Sequence, residues 1–289
     1  MTTYIRNILV TGVNGQLGKA IRKISKDFDY NFFFTDTESL DITDNNKLKK
    51  TVEEKKINII INCAAYTAVD KAEEEQEKAY RVNAEAVENI ANICKKKDIL
   101  LIHISTDYVF DGKNYLPYHE DDAVNPINIY GKSKLQGEQA IQKIKPKSII
   151  IRTSWVYSED GHNFVKSMLK LAKTQNDLKV IYDQIGNPTY AGDLARVILY
   201  MIQFPIKNKV EIYHYSNEGV CSWYDLAKAI FEIKNVNIQV EPITTDMFPT
   251  QAKRPRYSLL SKDKIKKHYN IKIPYWRESL KKMLKKYNG

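Results

Sequence analysis

No stretch of this 289-residue chain approaches the roughly 20 consecutive apolar residues that cross a bilayer. The opening MTTYIRNILVTG enters a strand pattern at once, without the layout of a signal peptide. No membrane association is expected. Cysteine is scarce: Cys63, Cys94 and Cys221 are odd in number and far apart. With no CxxC among them, a disulfide framework is excluded and a reducing compartment, the cytoplasm, is expected. The five histidines are scattered. Without an HExxH or a Cys/His cluster, no metal site is expected. Internal repeats, low-complexity tracts and long linkers are also missing.

Acidic residues are in deficit, 35 against 45 Lys and Arg, for a net charge of +10. Much of the excess sits near the C-terminus, in Lys262–Lys267 and Lys281–Lys286. A basic patch can serve nucleic acid, but no nucleic-acid motif accompanies this one. It reads as solvated helix faces, and no nucleic-acid partner is expected. A hydrophobic share of 43% is ordinary for a globular protein. The length suffices for one large or two modest domains.

What is present centres on Tyr130-Gly131-Lys132-Ser133-Lys134, at the start of a run from Ser133 to Ile144 that reads as a helix. Residues i and i+4 share a helix face, so the Tyr130 phenol and the Lys134 ammonium can enter one cleft. A free phenol is a poor acid at neutral pH. An ammonium beside it favours the phenolate, as a proton donor to a carbonyl under reduction requires.

Upstream, the apolar run Asn7–Thr11 meets Gly12-Val13-Asn14-Gly15-Gln16-Leu17-Gly18, and a helical pattern runs from Gln16 to about Ile24. Strand, glycine loop and helix form the context in which backbone approaches a pyrophosphate. The spacing is GxxGxxG rather than GxGxxG. A second strand, Asn31–Thr35, ends at Asp36, about 20 residues beyond the loop, where an acid can accept from an adenosine ribose. Asp41-Ile42-Thr43-Asp44 leads into a helix over 46–55 with Thr43 or Asp44 as N-cap. Further strands are expected at Asn58–Asn62, followed by Cys63-Ala64-Ala65-Tyr66, and at Leu100–Ser105, followed by Thr106 and Asp107. A long helical region, Lys71–Lys97, holds Asn83. Lys147–Thr153 is a fifth strand, running into Ser154-Trp155.

This β-α alternation predicts an α/β fold, a Rossmann-type doubly wound parallel sheet with a smaller α/β C-terminal substrate domain. The cofactor unit is expected over residues 1–155, with about 179–204 returning to it, and the second unit over 156–289. Ligands on such sheets bind beyond the carboxyl ends of the strands. There the glycine loop, Asp36, Ala64–Tyr66, Ser105–Asp107 and Trp155 converge. Beyond Tyr157 the alternation weakens. An amphipathic helix is expected at Asn163–Lys173, a strand with a polar turn at Val180–Thr189 and a helix at Ala191–Ile202. Arg254-Pro255-Arg256 offers two guanidinium groups suited to a diphosphate.

Seven stretches keep a common order: TGVNGQLG (Thr11–Gly18), CAAYTAVDKAE (Cys63–Glu73), STDYVFDG (Ser105–Gly112), YGKSKLQGE (Tyr130–Glu138), RTSWVY (Arg152–Tyr157), DQIGNPT (Asp183–Thr189) and KRPRYSLL (Lys253–Leu260). In these the chain resembles the extended short-chain dehydrogenase/reductases, and within them the dTDP-4-dehydrorhamnose reductases. The resemblance implies reduction of a nucleotide-linked 4-keto-6-deoxyhexose, dTDP- or UDP-bound, with NADPH, or alternatively NADH, as hydride donor. It makes Tyr130 the proton donor, Lys134 its support, and Thr106 with Ser105 the groups that orient the carbonyl. Gly12, Gly15, Gln16, Leu17, Gly18, Asp36, Asp41, Ile42, Ala64, Ala65, Tyr66 and Asn83 would line the cofactor. Asp107, Trp155, Asn163 and Arg254 would meet sugar or diphosphate.

The resemblance also suggests a homodimer. Some members bind Mg²⁺ through acidic residues at a dimer interface, but Lys19-Ala20 after the glycine loop argues against that here. Members often carry Arg after the ribose acid; Thr37 stands there. Relatives that make UDP-L-rhamnose also epimerise C3 and C5, for which Asp107, His162 and Lys166 are the available acid–base groups. The methionine adenosyltransferase β-subunit, a non-catalytic regulatory protein, is similar too, but an intact Tyr130/Lys134 pair favours an enzyme.

Overall fold

The computed structural model describes residues 6–206 and 209–287. The first half of the chain gives β1 (Asn7–Thr11), α1 (Gln16–Ile24), β2 (Asn31–Phe34), α2 (Asn45–Glu54), β3 (Ile59–Asn62), α3 (Val69–Ala72), α4 (Gln76–Tyr80), α5 (Ala86–Lys97), β4 (Leu100–Thr106) and α6 (Ile129–Ile144). The second gives β5 (Ser148–Thr153), β6 (Val156–Tyr157), α7 (Phe164–Leu171), β7 (Asp177–Ile181), β8 (Ile185–Gly186), β9 (Thr189–Tyr190), α8 (Ala191–Met201), β10 (Val210–Tyr215), β11 (Cys221–Ser222), α9 (Trp223–Lys234), β12 (Gln239–Ile243), α10 (Asp263–Tyr269) and α11 (Trp276–Lys286).

Six strands form the main sheet in the order β10-β5-β4-β3-β1-β2, each pair parallel. A parallel sheet covered on both faces needs apolar side chains on both. The triplets Ile8-Leu9-Val10, Ile59-Ile60-Ile61 and Ile149-Ile150-Ile151 supply them, all buried. Alternate residues face opposite ways. Ile8, Val10, Ile61, Ile149 and Ile151 therefore pack with Ile21 of α1 and Ile198 of α8. Leu9, Ile60, Leu101 and Ile150 pack with Leu48 of α2, Ile90 of α5 and Ile141 of α6. Chain order reverses between β1 and β3, which opens a crevice at their carboxyl ends.

A second core joins α7, α9 and α11 to the parallel pair β7–β12 through Met168, Leu178, Leu226, Val240 and Leu280. The sheet strand β10 comes from within 156–289, and α10 packs Ile265 beneath the same sheet. The large unit thus takes in more of the C-terminal half than the returning segment expected from sequence. Among the described residues no helix is long and apolar enough to cross a membrane.

Three local features differ from the sequence expectation. Helix α6 starts a turn earlier, because the Asn128 side chain caps it by accepting from Gly131 N at 2.8 Å. The single helix expected over 71–97 is broken into α3, α4, a π-helical turn at Arg81–Glu85, and α5. That turn brings Asn83 to Tyr66, whose backbone it grips from both sides: Tyr66 N donates to Oδ1 at 2.9 Å, and Nδ2 donates to Tyr66 O at 3.0 Å. The strand placed at Val180–Thr189 begins earlier and is shorter, as β7, because its hydrogen-bonding partner is β12.

Candidate active site

A cleft of about 1060 Å³ lies at the carboxyl end of the sheet, over the β1–β3 crevice. Its cofactor side begins at Gly12, where the chain turns left-handed at φ +67°. A Cβ there would sit 2.6 Å from Ala64 N, so only glycine lets the β1 and β3 loops close on each other. Helix α1 follows with Gly15 as N-cap, no side-chain cap and no acid in its first turn. Its open N–H groups suit an anionic ligand. The Asp36 carboxylate receives Ser39 N and Oγ at 2.9 and 2.7 Å and Asn14 Nδ2 at 2.8 Å. The Ser39 bonds hold its pKa below the usual carboxylate value. Asp41 accepts from Thr43 N and Oγ1, and it lines the cleft beside Ile42.

The opposite wall carries Ser105, Thr106, Asp107, Tyr130 and Lys134. Thr106 ends β4, accepts from Tyr108 N at 3.2 Å and donates to Asp107 Oδ1 at 3.1 Å. Its hydroxyl also acts on the Tyr130 phenol, opposing the rise in that group's pKa. Ser105 Oγ is buried and has no hydrogen-bond partner among the described residues, a site ready for a polar ligand atom. Burial pushes Asp107 up to about 7, against the hydroxyls of Ser258 and Thr106. Above them Trp155, held at φ +46°, stacks on Trp223 with ring centroids 3.6 Å apart. Both rings line the cleft.

Tyr130 and Lys134 both reach the cleft from α6. The expected lowering of the phenol by its lysine is not what the structure contains. Burial pushes Tyr130 up to about 12, the Thr106 hydroxyl opposes this, and Asp107 adds to it. The Lys134 ammonium instead donates to the Ile104 carbonyl at 2.6 Å and faces His103. Burial pushes its own pKa down to about 8, with Glu138 and Cys63 opposing.

Three of the expected site residues do not line the cleft. Asn83 acts behind it, holding Tyr66 and Ser133 Oγ. Asn163 caps α7 and donates to Gln16 Oε1 at 2.9 Å, joining the glycine-loop helix to the second unit. Arg254 is paired with Asp70, Nη2 to Oδ2 2.6 Å, next to Tyr108. The remaining expected residues, Gly12, Gly15, Gln16, Leu17, Gly18, Asp36, Asp41, Ile42, Ala64, Ala65, Tyr66, Ser105, Thr106, Asp107, Trp155, Tyr130 and Lys134, all do. The sequence reading missed Trp223, Lys78 and Arg81, which also line it. The Ser222–Asp225 capping box that starts α9 places Trp223 and was the available signal. Lys78 and Arg81 sat unremarked in a helical stretch. Among the described residues no group of three or more His, Cys, Asp or Glu could hold a metal ion.

A family model described as the RmlD substrate binding domain matches residues 6–288. A dTDP-4-dehydrorhamnose reductase of Aggregatibacter actinomycetemcomitans is 43% identical over 285 residues, covering 95% of this chain and 97% of that protein. The chain belongs to the dTDP-4-dehydrorhamnose reductase family. A crystal structure of a family member from Clostridium acetobutylicum superposes with a TM-score of 0.93 at 43% identity, over 98% of this chain and all of that one. Another, from Bacillus anthracis in complex with NADP, gives 0.93 at 39% identity, over 98% and 99% of the two chains. The glycine loop and the Tyr130/Lys134 pair line one cleft at the carboxyl end of the doubly wound sheet.

Proposed function

We propose that this chain reduces the C4 keto group of dTDP-4-dehydro-L-rhamnose to give dTDP-L-rhamnose. One observation carries the reading: Tyr130, Lys134, Thr106 and the unpartnered Ser105 hydroxyl meet in the same cleft as the glycine loop. NADPH, when bound, supplies the hydride; NADH is the alternative that Asp36 would favour by repelling a 2′-phosphate. The glycine loop and the first turn of α1 hold the pyrophosphate, and Ala64–Tyr66 line the cofactor under the grip of Asn83. Ser105 and Thr106 orient the sugar carbonyl. Tyr130 gives its proton to the C4 oxygen, its high pKa keeping that proton in place until negative charge develops there. Lys134 supplies positive charge to the same cleft. Asp107 and the Trp155 ring position the sugar.

The test is direct. The purified protein is given dTDP-4-dehydro-L-rhamnose and reduced nicotinamide absorbance is followed. Consumption that requires the epimerised sugar supports the reading, and no consumption with either cofactor sinks it. Asp107 favours a second reading, in which this cleft also epimerises C3 and C5, because a carboxyl poised near neutrality can act as acid and base. Incubation of the 4-keto-6-deoxyglucose nucleotide in D₂O with an unreactive cofactor analogue decides between them. Deuterium at C3 or C5 means that epimerisation occurs here.

A further inference from the structure

Thr11, Asn62 and His103 stand in one row across β1, β3 and β4, each opposite the next. Their side chains are joined. Thr11 Oγ1 lies 2.6 Å from Asn62 Oδ1, Asn62 Nδ2 lies 3.2 Å from His103 Nδ1, and His103 Nε2 lies 3.4 Å from Lys134 Nζ. All four residues are at most 1% exposed. An imidazole this deep beside an ammonium stays neutral; burial and Lys134 hold His103 well below the ordinary histidine range. A neutral imidazole offers one donor and one acceptor.

The groups that face Lys134 leave it short of acceptors. On its own helix are Tyr130 and Glu138, and the Glu138 carboxylate is spent on Arg152 of β5. Burial pushes the Cys63 thiol, at the end of β3, up to about 12, which keeps it neutral. From β4 come the Ile104 carbonyl and His103. An ammonium has no lone pair, so a charged Lys134 requires Nε2 to accept. Nδ1 must then carry the proton, and Asn62 must turn its amide oxygen toward it, with its nitrogen toward Thr11. The two ends of a carboxamide have the same shape, so this half-turn moves no heavy atom appreciably.

We propose that His103 is a positioning residue for Lys134, its Nε2 accepting one ammonium N–H while Asn62 Oδ1 fixes the Nδ1–H tautomer. With one N–H on Ile104 and one on His103, the third points to the cleft. The row thus aims Lys134 and keeps it charged. The inference rests on the proposed reduction only for its effect on turnover.

The experiment reads Lys134 and His103 by NMR in the full chain, apart from activity. In wild type with ¹⁵N-labelled histidine, His103 should show the Nδ1–H tautomer at neutral pH; the Nε2–H form would overturn the proposal without need of any variant. In His103→Leu, the Lys134 ¹³Cε titration should move down by about one pH unit, the scale expected for losing one hydrogen bond to a charge. His103→Gln, which restores an acceptor, should return most of that shift. An unmoved titration in His103→Leu, or no rescue by Gln, overturns the proposal. The alkaline limb of the kcat profile should follow the Lys134 titration. If the titration moves and this limb does not, the His103–Lys134 link stands and the place of Lys134 in the reduction falls.

Discussion

Arg152 Nη2 lies 2.8 Å from Glu138 Oε2, with the two side chains 3% and 0% exposed. The guanidinium also meets the Glu120 carbonyl at 3.2 Å and the face of Phe110. One buried ion pair therefore ties β5 to α6, a single turn beyond Lys134. Removal of one partner strands the other charge in a dry interior. Arg152→Leu should lower the unfolding free energy by about 3–5 kcal/mol. Urea unfolding followed by circular dichroism checks this, and a loss below about 1 kcal/mol would show that water reaches the pair.

Tyr130→Phe keeps the ring in its edge contact with Tyr108 and removes the proton. Turnover should fall by a factor of about 10² to 10⁴, with cofactor affinity nearly unchanged. Steady-state kinetics and a fluorescence titration of the cofactor measure the two. A variant that retains more than half its turnover takes Tyr130 out of the mechanism.

Asp107 makes stability depend on pH. Its folded pKa is raised to about 7 by burial, above its ordinary value of 3.8. Folding thus favours the protonated acid. The stability it allows is complete below the unfolded pKa and is lost as pH rises through the folded one. Asp107→Asn removes that loss. The variant should be more stable than wild type by an amount on the order of 3 kcal/mol above neutrality, and the gap should shrink toward pH 4. Thermal unfolding across this range is the measurement, and a gap that stays constant refutes the account.

Asp36→Ala should weaken NADH more than NADPH, since the carboxylate, preset by Ser39 and Asn14, would accept from a 2′-hydroxyl and repel a 2′-phosphate. Equilibrium binding of both cofactors tests it. Equal losses would place Asp36 away from the ribose.

The sequence made the sheet legible wherever a strand is buried on both faces, because Ile59-Ile60-Ile61 or Ile149-Ile150-Ile151 can hardly be placed otherwise. It concealed β10, whose Glu211 and His214 look like surface residues. Inside the fold, Lys264 pairs with Glu211, and His214 sits between Tyr118 O and Arg152. The cleft was legible through short motifs at strand ends. Arg254 was not, because its direction is set by Asp70, 184 residues away. Nor was the π-helical turn, which no glycine or proline announces; it follows from what Asn83 must reach. The i,i+4 spacing joins Lys134 to Tyr130, whereas its neighbour His103 comes from β4 and enters no local pattern.

Helix α6 carries two glycines, and a methyl group on either would strike a backbone carbonyl, that of Tyr108 at Gly131 and that of Asn83 at Gly137. At 3.6 residues per turn the two positions stand about 120° apart around the helix axis, with Tyr130 and Lys134 in the sector between them. They work as a pair of end stops. Rotation in one direction is blocked by the loop after β4, in the other by the π-helical turn. The angular setting of Tyr130 and Lys134 is thus indexed by two residues that have no side chain, and an alanine at either would misaim the phenol and the ammonium together.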